Sequence, residues 1–318
     1  MATREKQQGK SLKKLIDAAV DIQMNSDPSA QDKAFLTRQL VQVTLPHSNP
    51  GNVPIWSRTN GSLTLSIKSD WIEDPKTKKP INVGIPYGTI PRLLLFWMTT
   101  EALRTGSRRI VLGESLASFM RELGLDPYTG GGKRGDAQRL RDQMERLFRA
   151  TISFDSTQEV GDAKGKRWTD MQVAPDGELW WDFKRPEQST LFGSWIELGE
   201  KFYQAIISSP VPLDIRVLMA LKSSALALDI YAWATYKTFS LKQNDKGDQF
   251  IPWSAFMQQL GVDYSNVKEF GRKCRESFRK IQVVYPSLQI EYSKGGFSIK
   301  AGNPSVPYKA SKRNRLIV

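Results

Sequence analysis

Arginine side chains recur on one side of residues 136–149, a segment with the spacing of an amphipathic helix. Around a 3.6-residue turn, one stripe collects the apolar side chains: Ala137, Leu140, Met144, Leu147 and Phe148. The opposite side collects polar ones: Gln138, Arg139, Asp142, Arg146 and Arg149. Guanidinium groups placed in this way can bind base edges or phosphates of duplex DNA. The solvated face of an ordinary surface helix is the alternative.

The segments that flank this helix also carry cations. A glycine-rich loop before it contains Lys133 and Arg134, and alternating runs at 151–154 and 167–173 after it predict two β-strands. The loop between these strands carries Lys164, Lys166 and Arg167, and a third strand is predicted at 178–183. A helix followed at once by a β-hairpin is the order of a winged helix, whose helix enters the major groove.

The same order occurs a second time near the end of the chain. Residues 265–285 form an amphipathic helical pattern whose apolar stripe has five members: Val267, Phe270, Cys274, Phe278 and Ile281. The far side carries four cations: Lys268, Arg272, Arg275 and Arg279. Strands at 288–293 and 297–300 follow, joined by a turn that contains Lys294. Two basic helices, each followed by a hairpin, favour DNA binding over two accidental solvated faces.

Other periodic segments predict the elements that position these two units. In the first half they are helices at 10–24, 32–38, 90–104 and 114–123, strands at 40–45, 55–58, 62–68 and 109–112, and a lysine-rich turn or flexible tip at 75–80. In the second half they are a strand at 194–198, helices at 200–207, 213–221, 224–239 and 251–260, and a break at 210–212. Helix 10–24 is interpreted either as a short surface helix or as a partner-binding arm.

These elements predict an α+β fold with two tandem winged-helix domains. We place an N-terminal helical arm at 1–38, the first winged-helix domain at 39–185 and the second at 186–303. A basic tail, 304–318, follows, and its cations Lys312, Arg313 and Arg315 can contact phosphates.

Composition favours a polyanionic partner. The formal net charge is +13 and the isoelectric point is near 9.7, so nucleic acid is the expected partner and a membrane surface is the competing one. No apolar run approaches the roughly 20 residues of a membrane-spanning helix. The N-terminus lacks the apolar core of a signal peptide, and we therefore expect no membrane association and a cytoplasmic location.

The residues needed for catalysis or metal binding are scarce. The chain has one cysteine, Cys274, and one histidine, His47, which leaves no intrachain disulfide and no zinc or Ser-His site. Residues 130–133 resemble a phosphate-binding loop, but Pro127 and Arg134 occupy positions that a Walker motif gives to glycine and Ser or Thr. Carboxylates are scattered rather than paired. We therefore expect no catalytic residue, no metal and no cofactor, and a nickase or primase is the enzyme alternative.

Two long runs resemble a known family. GIPYGTIPRLLLFWMTTEALRTGSRRIVLGESLASFMRELGL, residues 84–125, and GGGKRGDAQRLRDQMERLFRATI, residues 130–152, are similar to plasmid-encoded RepA replication initiators of broad-host-range type. The resemblance implies binding to direct repeats in a plasmid origin, opening of the adjacent AT-rich duplex and assembly of the host initiator and helicase. It also implies a bacterial, plasmid-associated location and a possible homodimer. The alternative is a transcriptional repressor of the same architecture that binds an inverted repeat as a stable dimer and does not initiate.

Overall fold

The computed structural model describes residues 2–129, 135–160, 163–182, 185–189, 193–260 and 264–307, with side chains for all of these except residues 2–11, 158–160, 163 and 164. Lys133 and Arg134 lie outside the described residues, as does the tail from residue 308 onward. Across the part of the chain that is described, no helix is long and apolar enough to cross a membrane.

Helices and strands alternate irregularly along the chain, which confirms the predicted α+β class. The elements up to residue 178 are α1 (Ala2–Met24), β1 (Lys33–Thr37), α2 (Arg38–Gln42), β2 (Ile55–Asn60), β3 (Leu63–Lys68), β4 (Trp71–Glu73), β5 (Pro80–Asn82), α3 (Thr89–Thr105), β6 (Arg109–Val111), α4 (Leu116–Glu122), α5 (Asp136–Phe148), β7 (Thr151–Val160), β8 (Ala163–Gln172) and β9 (Asp176–Glu178). The later elements are β10 (Trp195–Glu197), α6 (Glu200–Ser208), β11 (Pro210–Asp214), α7 (Ile215–Leu221), α8 (Ala225–Gln243), β12 (Gln249–Pro252), α9 (Trp253–Leu260), α10 (Val267–Val284), β13 (Ile290–Ser293) and β14 (Gly296–Ile299).

The strands form small antiparallel sheets that place a hairpin after each basic helix. The largest sheet has the order β2-β3-β7-β8, and its inward face packs Leu65 opposite Phe154 and Ile67 opposite Ile152. A second sheet has the order β12-β14-β13. The predicted order of helix and hairpin is therefore present twice, as α5 with β7–β8 and as α10 with β13–β14.

Two predictions near the N-terminus are wrong because a distant strand decides the local structure. Residues 32–38 were expected to be helical and 40–45 extended, yet β1 is a strand and α2, which begins after Thr37, is a helix. The break expected at 210–212 is part of β11, which pairs with β1. Pro210 and Pro212 are compatible with a strand because a proline can occupy positions whose missing N–H faces away from the partner.

The structure differs from the predictions in three connecting segments. Of the strand expected at 178–183, only Glu178 is extended, at the end of β9, and residue 183 lies outside the described residues. Trp181 is instead buried against Phe119, with ring centroids 5.1 Å apart. The helix predicted at 251–260 begins after Pro252 as expected, at Trp253, but residues 249–252 form a strand, β12, along β14, which the sequence did not indicate. The lysine-rich segment 75–80 contains the predicted turn, but it joins two strands, β4 and β5, that the alternation did not indicate.

One continuous apolar core spans the elements described above. Leu15 and Ala19 of α1 are buried in it, and α1 packs against α7 and α10 near the other end of the chain. The predicted arm is thus packed against the second half. The four-part domain division itself stays a prediction.

A buried ion pair joins the two halves of the core. Arg92 of α3 and Asp229 of α8 are 3% and 6% exposed, and the guanidinium binds both carboxylate oxygens at 2.8 and 2.7 Å. The remaining N–H groups of Arg92 donate to the carbonyl oxygens of Pro46 at 3.1 Å, Gly88 at 2.6 Å and Leu45 at 2.7 Å. All five guanidinium donors are therefore used.

His47 completes this buried cluster. Its Nε2 lies 2.8 Å from Asp229 Oδ2. Burial opposes ionisation of Asp229, but the charge of Arg92 and hydrogen bonds from His47 and Arg92 hold the pKa of the carboxyl well below its usual range. Burial also lowers the pKa of His47, despite the opposing pull of Asp229. His47 is therefore neutral at pH 7 and donates from Nε2.

Removing the carboxylate should destabilise the whole fold. In Asp229→Asn the buried guanidinium loses its counter-charge, and we expect the free energy of unfolding to fall by about 3–5 kcal/mol. Urea unfolding followed by circular dichroism measures this change. The control is Glu73→Gln, which breaks an exposed pair with Lys78 and should hardly change stability. Equal stability of Asp229→Asn and the parent protein would contradict the role given to the pair.

Acidification should destabilise the protein through its one histidine. Because the pKa of His47 is lower in the folded state than the roughly 6.5 of an unfolded chain, the unfolded state binds the proton first as pH falls. Stability is thus fully present above about pH 6.5 and decreases below it, by up to about 1.4 kcal/mol per pH unit. Urea unfolding at pH 7.5 and pH 5.5 should show this loss, and His47→Gln should remove most of it. An unchanged pH dependence in the variant would contradict the assignment.

Candidate nucleic-acid interface

Helix α10 is built with one buried side and one charged side. Asn266 begins it by accepting a hydrogen bond from the Glu269 N–H at 2.8 Å. Its predicted apolar stripe is fully buried at four positions: Phe270, Cys274, Phe278 and Ile281. Val267, which was expected in that stripe, is instead 40% exposed because it lies in the first turn, ahead of the packed region.

The cations predicted on the far side of α10 form a narrow stripe. At 3.6 residues per turn they fall within an arc of about 60°: Lys268, Arg272, Arg275 and Arg279. Arg275 is half-buried and the other three are exposed. Arg272 pairs with Glu276, whereas Lys268, Arg275 and Arg279 pair with no carboxylate among the described residues. The stripe therefore presents concentrated positive charge to solvent.

The hairpin β13–β14 adds to this surface. Its turn holds the predicted Lys294, which is exposed, next to Gly295, whose φ of +83° is a backbone conformation that favours glycine. Tyr292 of β13 is 42% exposed and stacks on the ring of Trp253, with centroids 6.5 Å apart. The Arg275 guanidinium lies over the same Trp253 ring at 5.4 Å. We call these six side chains the α10 surface: Lys268, Arg272, Arg275, Arg279, Tyr292 and Lys294.

Tyr292 was not identified from the sequence. Burial raises the pKa of its hydroxyl, and the charges of Arg279 and Arg275 oppose that rise, which reflects how close the three side chains lie. An aromatic residue two positions before a Lys-Gly turn was the available signal.

The outward face of α5 is less basic than its sequence suggested. Leu140, Met144 and Leu147 are buried as predicted, but Asp142 and Glu145 share the outward side with the arginines. The predicted binding side chains also have partners within the chain. Gln138 donates to Asp142 at 2.7 Å, Arg139 lies 3.0 Å from Asp136, and Arg149 lies 3.3 Å from Asp70.

Arg146 does not project outward as expected. Its Nη1 donates to the Ile85 carbonyl at 3.1 Å, and its guanidinium lies over the Tyr87 ring at 5.3 Å. Gln143 from the same helix accepts a hydrogen bond from the Tyr87 N–H at 2.9 Å. Gly84, with a φ of +94°, leaves the necessary space, because a Cβ there would lie 2.6 Å from Arg146 Nη1. Arg146 sits at the edge of the polar face, so its long side chain can reach back and hold α5 in place.

The first hairpin presents its cations on both faces of the sheet. Lys166 is 68% exposed and lies 3.8 Å from Asp155, and Arg167 points to the opposite face because side chains alternate along a strand. The backbone of Lys164 belongs to β8, but its side chain is outside the described residues. Trp168, which follows Lys166 and Arg167 in β8, is 67% exposed and was not identified from the sequence.

Comparison with known proteins gives one family and two solved structures. A family model described as "Plasmid encoded RepA protein" matches residues 85–255. A crystal structure of selenomethionine derivatives of domains 2 and 3 of RctB is similar at 8% identity and a TM-score of 0.49, covering 82% of this chain and 97% of that one. A second structure of RctB domains 2–3 gives 9% identity and a TM-score of 0.47, covering 81% of this chain and 94% of that one. No curated protein matches the sequence.

The family match runs from Ile85, the carbonyl of which binds Arg146, through α3, α5 and α8 into α9. It spans more than half of the chain and includes most of both sequence runs on which the resemblance rests. The chain therefore belongs to the family of plasmid-encoded RepA proteins.

Proposed function

We propose that this protein is a plasmid replication initiator that binds repeats in origin DNA through two winged helices, centred on α5 and α10. The α10 surface is the observation that carries this proposal. Family membership supports a role in plasmid replication. The protein acts in this proposal as a binding protein in the bacterial cytoplasm, without catalytic groups, metal or cofactor.

The shape of the α10 surface suits a major groove. A helix of 18 residues is about 27 Å long, and its cations lie in one narrow stripe, so they can enter the groove together. An arginine guanidinium can donate two hydrogen bonds to the edge of one guanine, and unpaired cations can bind phosphates. Tyr292 and Lys294 stand beside the stripe, where the hairpin meets the sugar-phosphate backbone.

The two units contribute unequally in this proposal. Three of the four stripe cations of α10 pair with no carboxylate among the described residues, and Arg272 pairs with Glu276, whereas the side chains of α5 are partly engaged within the chain. We infer that α10 supplies most of the binding free energy. Helix α5 then reads a second element of the repeat, about one helical turn or 10 bp away. The proposed initiator role includes opening of AT-rich duplex and recruitment of the host initiator and helicase. A homodimer is a separate proposal, which the family resemblance suggests and which the initiator role does not require.

Permanganate footprinting on supercoiled origin DNA tests this function. An initiator should protect the repeat and expose reactive, unpaired thymines in the flanking AT-rich segment. Protection of the repeat without reactive thymines would instead identify a repressor, and a protein-dependent nick in the presence of magnesium would identify an enzyme.

Single substitutions in the α10 surface should weaken duplex binding. We expect Arg279→Ala to reduce affinity by about 1–3 kcal/mol if the contact is bidentate, and to relax base preference at one element of the repeat. Fluorescence anisotropy on matched and mismatched duplexes measures both effects. The control is Arg104→Ala on α3, which removes an exposed arginine paired with Glu101 and should leave affinity unchanged. Equal losses in the two variants would show only a general effect of charge.

Arg146 should behave as a positioning residue rather than a base-reading one. Arg146→Ala removes the hold on the Ile85 carbonyl, so we expect a lower melting temperature and weaker binding to every sequence. Arg139→Ala should keep the melting temperature and change base preference at the α5 element. Thermal unfolding and binding-site selection on both variants separate these roles. A changed base preference with unchanged stability in Arg146→Ala would contradict the positioning role.

A further inference from the structure

The hairpin β4–β5 carries three lysines in and beside its tip: Lys76, Lys78 and Lys79. The turn between the strands is ordered by Asp74. Its carboxylate accepts hydrogen bonds from the Lys76 N–H at 3.0 Å and the Thr77 hydroxyl at 2.8 Å. Its backbone bonds to Lys78 and Lys79 at 2.8 and 2.9 Å. The lysines are therefore presented on a defined turn.

The acidic residues of this hairpin are already engaged. The hydrogen bond from the Lys76 N–H, followed by the one from the Thr77 hydroxyl, holds the Asp74 carboxylate in the turn and lowers its pKa. Glu73 pairs with Lys78 at 3.2 Å. Lys76 and Lys79 pair with no carboxylate in the part of the chain that the structure describes. The tip thus presents two available cations, with Trp71, 54% exposed, on the strand below them.

Both ends of the hairpin are fixed to the last turns of α5. Asp70, directly before β4, lies 3.3 Å from Arg149 and accepts a hydrogen bond from the Val83 N–H at 3.0 Å. Ile85, shortly after β5, is held by Arg146. The β4–β5 hairpin therefore starts beside the C-terminal end of α5. A duplex that contacts α5 lies within its reach.

We propose that the β4–β5 hairpin is a phosphate-binding arm of the first unit, in which Lys76 and Lys79 bind the DNA backbone beside α5. This inference rests on the proposed duplex binding. Duplex DNA fits better than an acidic protein, because the arm is fixed to a helix that already carries arginines, and an aromatic residue beside cations is typical of nucleic-acid contacts. Since phosphates are the same in every sequence, the arm adds affinity but no base preference.

The test compares two double variants of the full chain. Lys76→Gln with Lys79→Gln removes both charges, and Lys76→Arg with Lys79→Arg keeps them on side chains of similar length. Binding to a random-sequence duplex is measured over a range of salt concentrations. Loss of two phosphate contacts should reduce the slope of log affinity against log salt by about 1.8, whereas the arginine variant should keep the parent slope. The turn that Asp74 holds is unchanged in both variants, and circular dichroism checks their folding.

Three outcomes overturn one idea or the other. If the glutamine variant keeps the parent's slope of log affinity against log salt, or if that slope falls equally in both variants, the arm is excluded. The proposed duplex binding is then unaffected. If the parent chain itself shows no duplex binding, the proposed function fails first.

Discussion

The buried pair between Arg92 and Asp229 determines how the two halves of this protein sit together. Arg92 belongs to α3, against which α5 packs, and Asp229 belongs to α8, against which α10 packs. The pair therefore lies at the centre of a chain of contacts that links the two basic helices. Its cost of burial is offset by a complete set of hydrogen bonds, which is the condition under which such a pair holds a fixed geometry. A DNA-binding surface that is made of two helices requires a fixed distance between them.

The two helix–hairpin units differ in how much unpaired positive charge they present to a partner. In α10 the cations lie together, and one of the four, Arg272, is paired with a carboxylate. In α5 the polar side chains serve the fold as well as the surface, since Arg146 holds the segment after β5 and Arg149 holds the residue before β4. A unit with engaged arginines is better fixed in orientation, and one with unpaired cations binds phosphates more strongly. The β4–β5 arm supplies to the first unit the charge that α5 lacks.

The sequence predicted those features that depend on local periodicity. The buried stripes of α5 and α10 follow from 3.6-residue spacing, and the hairpin after each helix follows from alternation. Predictions failed where a segment distant in the chain determines the local structure. Residues 33–37 are extended because β11 lies beside them, and β4–β5 is too short for alternation to indicate it. Arg146 was placed on the outward face because angular position gives the direction of Cβ, not the end of a long side chain that reaches back to a carbonyl.

Selection of binding sites from random duplex by the full chain, followed by hydroxyl-radical footprinting of the selected duplex, tests the central claim most directly. If α5 and α10 of one molecule read successive major grooves, the selected sites should contain two conserved elements about 10 bp apart, both protected on the same side of the duplex. Substitution in α10 should erase one element and leave the other. Selection of a single short element, or of no sequence at all, would contradict the bipartite account.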